Sequence, residues 1–160
     1  MSLTLEQAIL EVRRRSDMEH SQFVTDAEIK SYIQMSYTEL YDLIVSRFED
    51  YYITDTLFSL TEEDNTYTIP SNLYKIRGVD LITGAGPDDF VSLSKWNFQE
   101  RGLASSLPVR VTGYRTVQYR LLGQEMTMMP ANNAPGSYRL WYIPACPTLA
   151  APSDEIKGIS

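Results

Sequence analysis

Few side chains in this 160-residue sequence are spaced to do chemistry. Nucleophilic hydrolysis needs a serine or cysteine brought together with a histidine and an acid, and the chain has one histidine, His20, and one cysteine, Cys146. His20 sits in a polar stretch with no cysteine or second histidine near it, so it reads as a loop residue. Gly84 and Gly86 suggest a phosphate-cradling turn, but such loops need a following Lys-Ser/Thr pair or a third glycine. Here Pro87, Asp88 and Asp89 follow instead. Those two aspartates lack the spacing of a calcium loop. The carboxylate pairs Glu62-Glu63 and Asp154-Glu155 fall in turn or tail segments, too open to shift their pKa usefully. No H-E-x-x-H, paired C-x-x-C or Gly-rich nucleotide loop occurs. These residues point away from an enzyme, and the sequence assigns no catalytic, cofactor-binding or metal-ligating residue and no cofactor.

The remaining composition fits a folded protein of another kind. With 43% hydrophobic and 22% charged residues, the chain is long enough to bury a core. Its net charge is −7, and residues 1–50 carry most of it, with 5 basic against 10 acidic side chains. Such a chain is a poor candidate for gripping DNA, because that affinity comes mainly from neutralised phosphates. The same charge is compatible with lining a passage through which DNA moves without sticking. Arg13, Arg14 and Arg15 read either as a phosphate patch or as cations at a helix C-terminus, and the macrodipole favours the second. A single cysteine forms no internal disulfide and implies a reducing compartment. Neither a signal peptide nor a membrane span is expected from the hydropathy pattern.

The elements follow from periodicity and caps. Val24 to Phe48 reads as one long helix, started by a T-x-x-E capping box at Thr25 and Glu28 and a Val24–Ile29 staple. At about 100° per residue, Ile29, Ile33, Ser36, Leu40 and Ile44 form a stripe. Tyr32 and Leu43 widen it on one side, and Tyr37, Tyr41 and Phe48 on the other. That arc is too wide for one core, so a second surface must cover part of it: more of the same fold, or a neighbouring copy. A first helix spans 4–15, capped by Thr4 with Gln7. Strands are expected at 52–61 and 66–69, pairing as a hairpin, and at 75–83 and 90–93. A short helix from Ser94 to about Gly102 would carry Trp96 and Phe98. Further strands are expected at 109–112, at 117–122 and 125–129 joined by Gly123-Gln124, and at 137–143. Residues 144–160, with three prolines, read as an extended arm.

The expected architecture is therefore α+β: an N-terminal helical hairpin (1–50) with one long helix, an antiparallel β part (51–143), and an extended C-terminal arm (144–160), forming one structural unit. Eleven tyrosines suit half-buried strand faces and subunit contacts. Met126, Met128 and Met129 fill a core or offer an adaptable contact surface.

Four segments carry a family resemblance: TDAEIKSYIQMSYTELYDLIVSRFEDYY, YTIPSNLYKIRGVDL, YRLLGQEMTMMP and YRLWYIPACPTL. In this order they resemble the head-to-tail adaptor (neck) proteins of tailed bacteriophages, over nearly the whole chain. The resemblance implies a virion structural protein, assembled in the host cytoplasm, that forms a ring, usually of twelve copies. The ring sits beneath the portal, receives downstream tail proteins, and lets double-stranded DNA pass without sequence-specific binding; no membrane is involved. Members usually continue past a segment like SDEIKGIS into another helix, so a chain stopping at Ser160 is either a cut form or a shorter member. The interface residues expected on this reading are Tyr32, Tyr37, Tyr41, Phe48, Met126, Met128 and Trp141. Replacing Tyr37 and Tyr41 by Asp is expected to spare folding and block assembly. The competing expectation is a soluble protein-binding module without ring assembly.

Overall fold

The computed structural model describes residues 3–21, 23–61, 63–86, 89–100, 117–129 and 135–157. The chain divides into two compact units, one of Met1–Tyr51 with Cys146–Ser160 and one of Tyr52–Ala145.

In the first unit, strand β1 (Leu3–Thr4) leads directly into helix α1 (Leu5–Arg15), and a linker connects it to helix α2 (Asp26–Arg47). Both capping boxes form as read. The Thr4 hydroxyl accepts from the Gln7 N–H and the Gln7 side chain returns the bond; Thr25 and Glu28 do the same. A capping residue of this kind stabilises its helix by about 1 kcal/mol. The Thr25 amide and hydroxyl donate to the Glu28 carboxylate at 2.8 and 2.9 Å, and this holds its pKa below the usual carboxylate range.

The C-terminal segment does not extend as an arm. Strand β10 (Glu155–Ile156) pairs antiparallel with β1, and Leu149 and Ile156 are buried with Leu5, Ala8 and Tyr37. Two amides at the start of α1, on Leu5 and Glu6, donate to the carbonyls of Asp154 and Pro152. A helix N-terminus leaves such donors unsatisfied unless something outside the helix accepts from them. Composition suggested an arm because three prolines disrupt any period. Pairing to side chains distant in sequence is invisible to that test.

The second unit holds two four-stranded sheets. One has the order β2 (Thr54–Leu60), β9 (Gly136–Pro144), β4 (Leu73–Ile82), β5 (Phe90–Ser92). The other runs β3 (Thr66–Thr68), β8 (Glu125–Met129), β7 (Gln118–Leu122), β6 (Ser94–Lys95). All pairings are antiparallel except β6 with β7. The two sheets share one core, to which Phe58, Val79, Leu81, Tyr138 and Leu140 contribute from one side and Met126 and Met128 from the other. Period-2 alternation produces this directly, since successive strand side chains point to opposite faces. The Phe58 ring lies between Tyr67 (4.0 Å between centroids) and Tyr138 (5.3 Å), stacked on both.

Two expectations are corrected. The strands at 54–60 and 66–68 do not form a hairpin: β2 pairs with β9, β3 with β8, and the turn between them carries the chain from one sheet to the other. Residues 94–100 are not a helix. Ser94–Lys95 is a strand, the Trp96 N–H donates to the Tyr119 carbonyl, and only Phe98–Glu100 makes a 3-10 turn. The hairpin at 117–129 forms around Gly123, whose φ of 60° suits glycine. The strand expected at 109–112 lies outside the described residues.

Candidate functional site

Several chemistry-bearing residues are engaged in structure. Arg13, the first of the arginine run, donates to the carbonyls of Met18, Ser21 and Val24 and to the Asp26 carboxylate (2.6 Å). It therefore pins the α1–α2 linker instead of facing a phosphate. Asp80, a buried carboxylate, accepts from the Ser92 hydroxyl and the Trp141 indole N–H, both at 2.7 Å. Asp89 accepts from the Gly86 amide. Asp154 accepts from the amides of Ala150 and Ala151, and these two bonds hold its pKa below the usual range. Among the described residues, no three or more His, Cys, Asp or Glu side chains group so as to hold a metal ion, and no helix is long and apolar enough to cross a membrane. Cys146 lies beside Thr38, and burial pushes its thiol pKa up, away from the reactive thiolate.

One open apolar surface lies on α2. One arc of this helix is its core face: Ile29, Tyr37, Tyr41 and Val45 are buried. The Tyr37 hydroxyl accepts the Lys157 N–H at 3.2 Å, and burial raises its pKa. Lys30 and Gln34, near the same arc, bind the C-terminal segment. Lys30 donates to the Ala150 carbonyl, and Gln34 accepts from Leu149 and donates to Pro147. On the opposite arc stand Tyr32 (66% exposed), Met35 (68%) and Leu43 (65%), with Glu39 and Asp42 among them. Beside Tyr32 runs an apolar groove of about 520 Å³, floored by Ile29, Ile33 and Tyr37 and walled by Val12, Met18 and Val24. Phe23 projects from the linker next to Val24 and is almost wholly exposed.

The seven interface candidates separate by burial. Tyr32 and Phe48 are open and available to a partner. Tyr37, Tyr41, Met126 and Met128 are enclosed in the protein's own fold, so their side chains offer no contact surface. Trp141 is partly covered, its N–H bound to Asp80 and its ring 5.5 Å from the Arg139 guanidinium. Met35, Glu39 and Asp42 are exposed beside Tyr32 and lie outside the expected set. The sequence signal for them is angular: each lies on the arc turned away from Tyr37 and Tyr41 on a helical wheel.

Residues 3–159 match the family model described as SU10 adaptor protein. No curated protein matches the chain.

Proposed function

Because the chain belongs to the SU10 adaptor protein family, a family of phage structural head-to-tail adaptors and not of enzymes, we propose that it forms an oligomeric ring between portal and tail. The family places it among virion-associated structural proteins that bind portal and tail proteins and oligomerise. Our reading adds ring geometry, twelvefold by resemblance, assembly in the host cytoplasm, and passage of double-stranded DNA through the middle.

The observation that carries the self-association is the outer arc of α2. Tyr32, Met35 and Leu43 leave large apolar side chains in water on a helix whose other face already has a core. An apolar surface of this kind is stabilised when a partner removes it from water, at about 25 cal/mol per Å². Tyr32 and Phe48 are the proposed contact residues retained from the sequence. The net charge of −7 is consistent with a channel wall that DNA does not adhere to.

Native mass measurement of the chain alone and with a portal ring tests this. Stoichiometric multimers on the portal support it. A protein that stays monomeric at high concentration both with and without the portal ring refutes it. Detection of the chain at the neck of intact particles is the independent check.

A further inference from the structure

We infer that the outer edge of β2 pairs with the same edge of a second copy, antiparallel and about a two-fold axis at Leu57. The inference goes beyond the adaptor reading and does not rest on it. β2 (Thr54–Leu60) is an outermost strand of its sheet and, at 7 residues, the longest outer strand among the described residues; β3 and β5 have 3 each and β6 has 2. Exposed edges are normally blunted by shortness, by a bulge, or by lysine or proline. β2 has none of these. Its sequence is TDTLFSL, and its register with β9 is unbroken from Thr54–Tyr142 to Leu60–Gly136.

The ladder bonds fix which residues face outward. The Leu93 N–H donates to the Val79 carbonyl and the Thr83 N–H to the Asp89 carbonyl, so Val79, Leu81 and Thr83 turn their backbone groups to the β5 side. Backbone direction alternates along an antiparallel strand. Asp80 therefore faces Arg139, while Tyr138 and Leu140 face Phe58 and Thr56. The N–H and C=O groups of Asp55, Leu57 and Ser59 are left pointing away from the sheet. Among the described residues, nothing hydrogen-bonds to these backbone groups. The side chains of all three are exposed, Leu57 by 62%.

Self-pairing satisfies this edge along its whole length. With Leu57 set opposite Leu57 of the second copy, Asp55 falls opposite Ser59 and the strands overlap end to end. Asp55, Leu57 and Ser59 then occupy mutually bonded positions and exchange about six backbone hydrogen bonds. The exposed leucines meet each other and each carboxylate meets a hydroxyl. Asp55 is the strand's one charged residue, so this register opposes no like charges, the condition under which cross-strand pairs stabilise. Asp55 already pairs with Arg139 at 3.6 Å and the Ser59 hydroxyl with that of Ser137 at 3.3 Å. A carboxylate and a hydroxyl each retain capacity for a further bond. The axis stands perpendicular to the sheet, so the core face bearing Phe58 and Leu60 continues from one copy into the next. Such a contact uses one patch on both copies and closes in a pair. It is separate from the repeated contact that a ring needs.

Sedimentation and native mass of the full chain without portal, over a concentration series, test the assignment. Wild type should dimerise. Leu57→Pro deletes an outward N–H and leaves the β9 ladder intact, since proline is tolerated on the open side of an edge strand. It should keep wild-type circular dichroism and dimerise at least about tenfold more weakly. Ser59→Asp and Ser59→Lys read the register. The first opposes Asp55 with a like charge and should weaken the dimer about threefold or more, and the second should tighten it. Leu57→Cys should link to itself on oxidation, because Cα atoms about 5.5 Å apart suit a disulfide. Peptide mapping separates that bond from any at Cys146. A wild-type chain monomeric at every concentration overturns the inference. So does a dimer indifferent to Leu57→Pro, an equal response to the two Ser59 variants, or Leu57→Cys linking only to Phe90→Cys on β5. If Leu57→Pro loses its fold, the Ser59 variants and the cysteine link, which leave the backbone unaltered, decide the outcome. The adaptor reading is judged separately, by binding to a portal ring.

Discussion

The Trp141 indole N–H donates to the buried carboxylate of Asp80 at 2.7 Å, across neighbouring strands of one sheet. With the Ser92 hydroxyl it supplies two direct donors to an acid that the sheet removes from water. Trp141→Phe keeps most of the ring and deletes one donor. Leaving a buried charged acceptor short of a partner costs about 1–3 kcal/mol, so the urea midpoint should fall. In an Asp80→Ala background the same substitution should cost much less, and the double-mutant cycle measures that coupling. Equal losses in both backgrounds would mean that Trp141 acts by packing alone.

Asp154 ties the C-terminal segment into a tight turn, and the sign of its pH dependence follows from its bonds. Its folded pKa is lowered, first by the Ala151 amide and then by that of Ala150. A depressed carboxylate pKa contributes stability that is complete above the ordinary aspartate value of about 4 and is lost as pH falls through that value to the folded one. The protection of the Leu149 and Ile156 amides from hydrogen exchange, measured against the intrinsic rate at each pH, should therefore fall below about pH 4 in the wild type. Asp154→Asn should show lower protection than wild type at neutral pH and a flatter change of protection with acid. An unchanged pH profile in the variant would assign the acid sensitivity to another group.

Tyr37 and Tyr41 belong to the folded chain itself. Tyr37 is buried with Leu5, Ala8, Leu149 and Ile156, and Tyr41 is 2% exposed. Tyr37→Asp with Tyr41→Asp puts two carboxylates where an apolar ring stood, and a buried unpaired charge is among the largest destabilising changes known. The double variant should lose the helical signal near 222 nm, contrary to the sequence expectation that it would fold and merely fail to assemble. Likewise Met128, fully enclosed between the sheets, should lose about 2–5 kcal/mol on replacement by alanine.

The helices were legible because their signals are local. Thr4 with Gln7 and Thr25 with Glu28 sit three residues apart, and each box formed where it was read. The Gly123 hairpin and the inward faces of Phe58, Tyr138 and Leu140 were likewise local, as turn chemistry and alternation. What was not legible was long-range partner choice. Thr66–Thr68 lies just after β2 in the sequence yet pairs with β8, and Ile156 pairs with Leu3 across almost the whole chain. Nothing in a window of ten residues distinguishes these pairings from a simple hairpin or a free tail. The α2 stripe shows the same limit in the site. Its width reads as more than one face, but periodicity alone does not say which flank the C-terminal segment covers. Leu149 and Ile156 join Tyr37 in the core, and the arc bearing Tyr32 and Leu43 is left open.

That division makes the open arc separable from the fold. Tyr32→Ser, Met35→Ser and Leu43→Ser change side chains that are each about two-thirds exposed. Substitutions at such positions usually move stability by no more than about 0.5 kcal/mol each, so the triple variant should melt close to wild type. Its assembly should respond very differently. Large apolar and aromatic anchors dominate contact energies, and truncating one central anchor costs about 2 kcal/mol or more. Association on a portal ring, followed by native mass, should therefore fall by tenfold or more for Tyr32→Ser alone and become undetectable for the triple variant. A triple variant that assembles with wild-type affinity would show that the proposed contact lies elsewhere on the chain, whatever covers this arc.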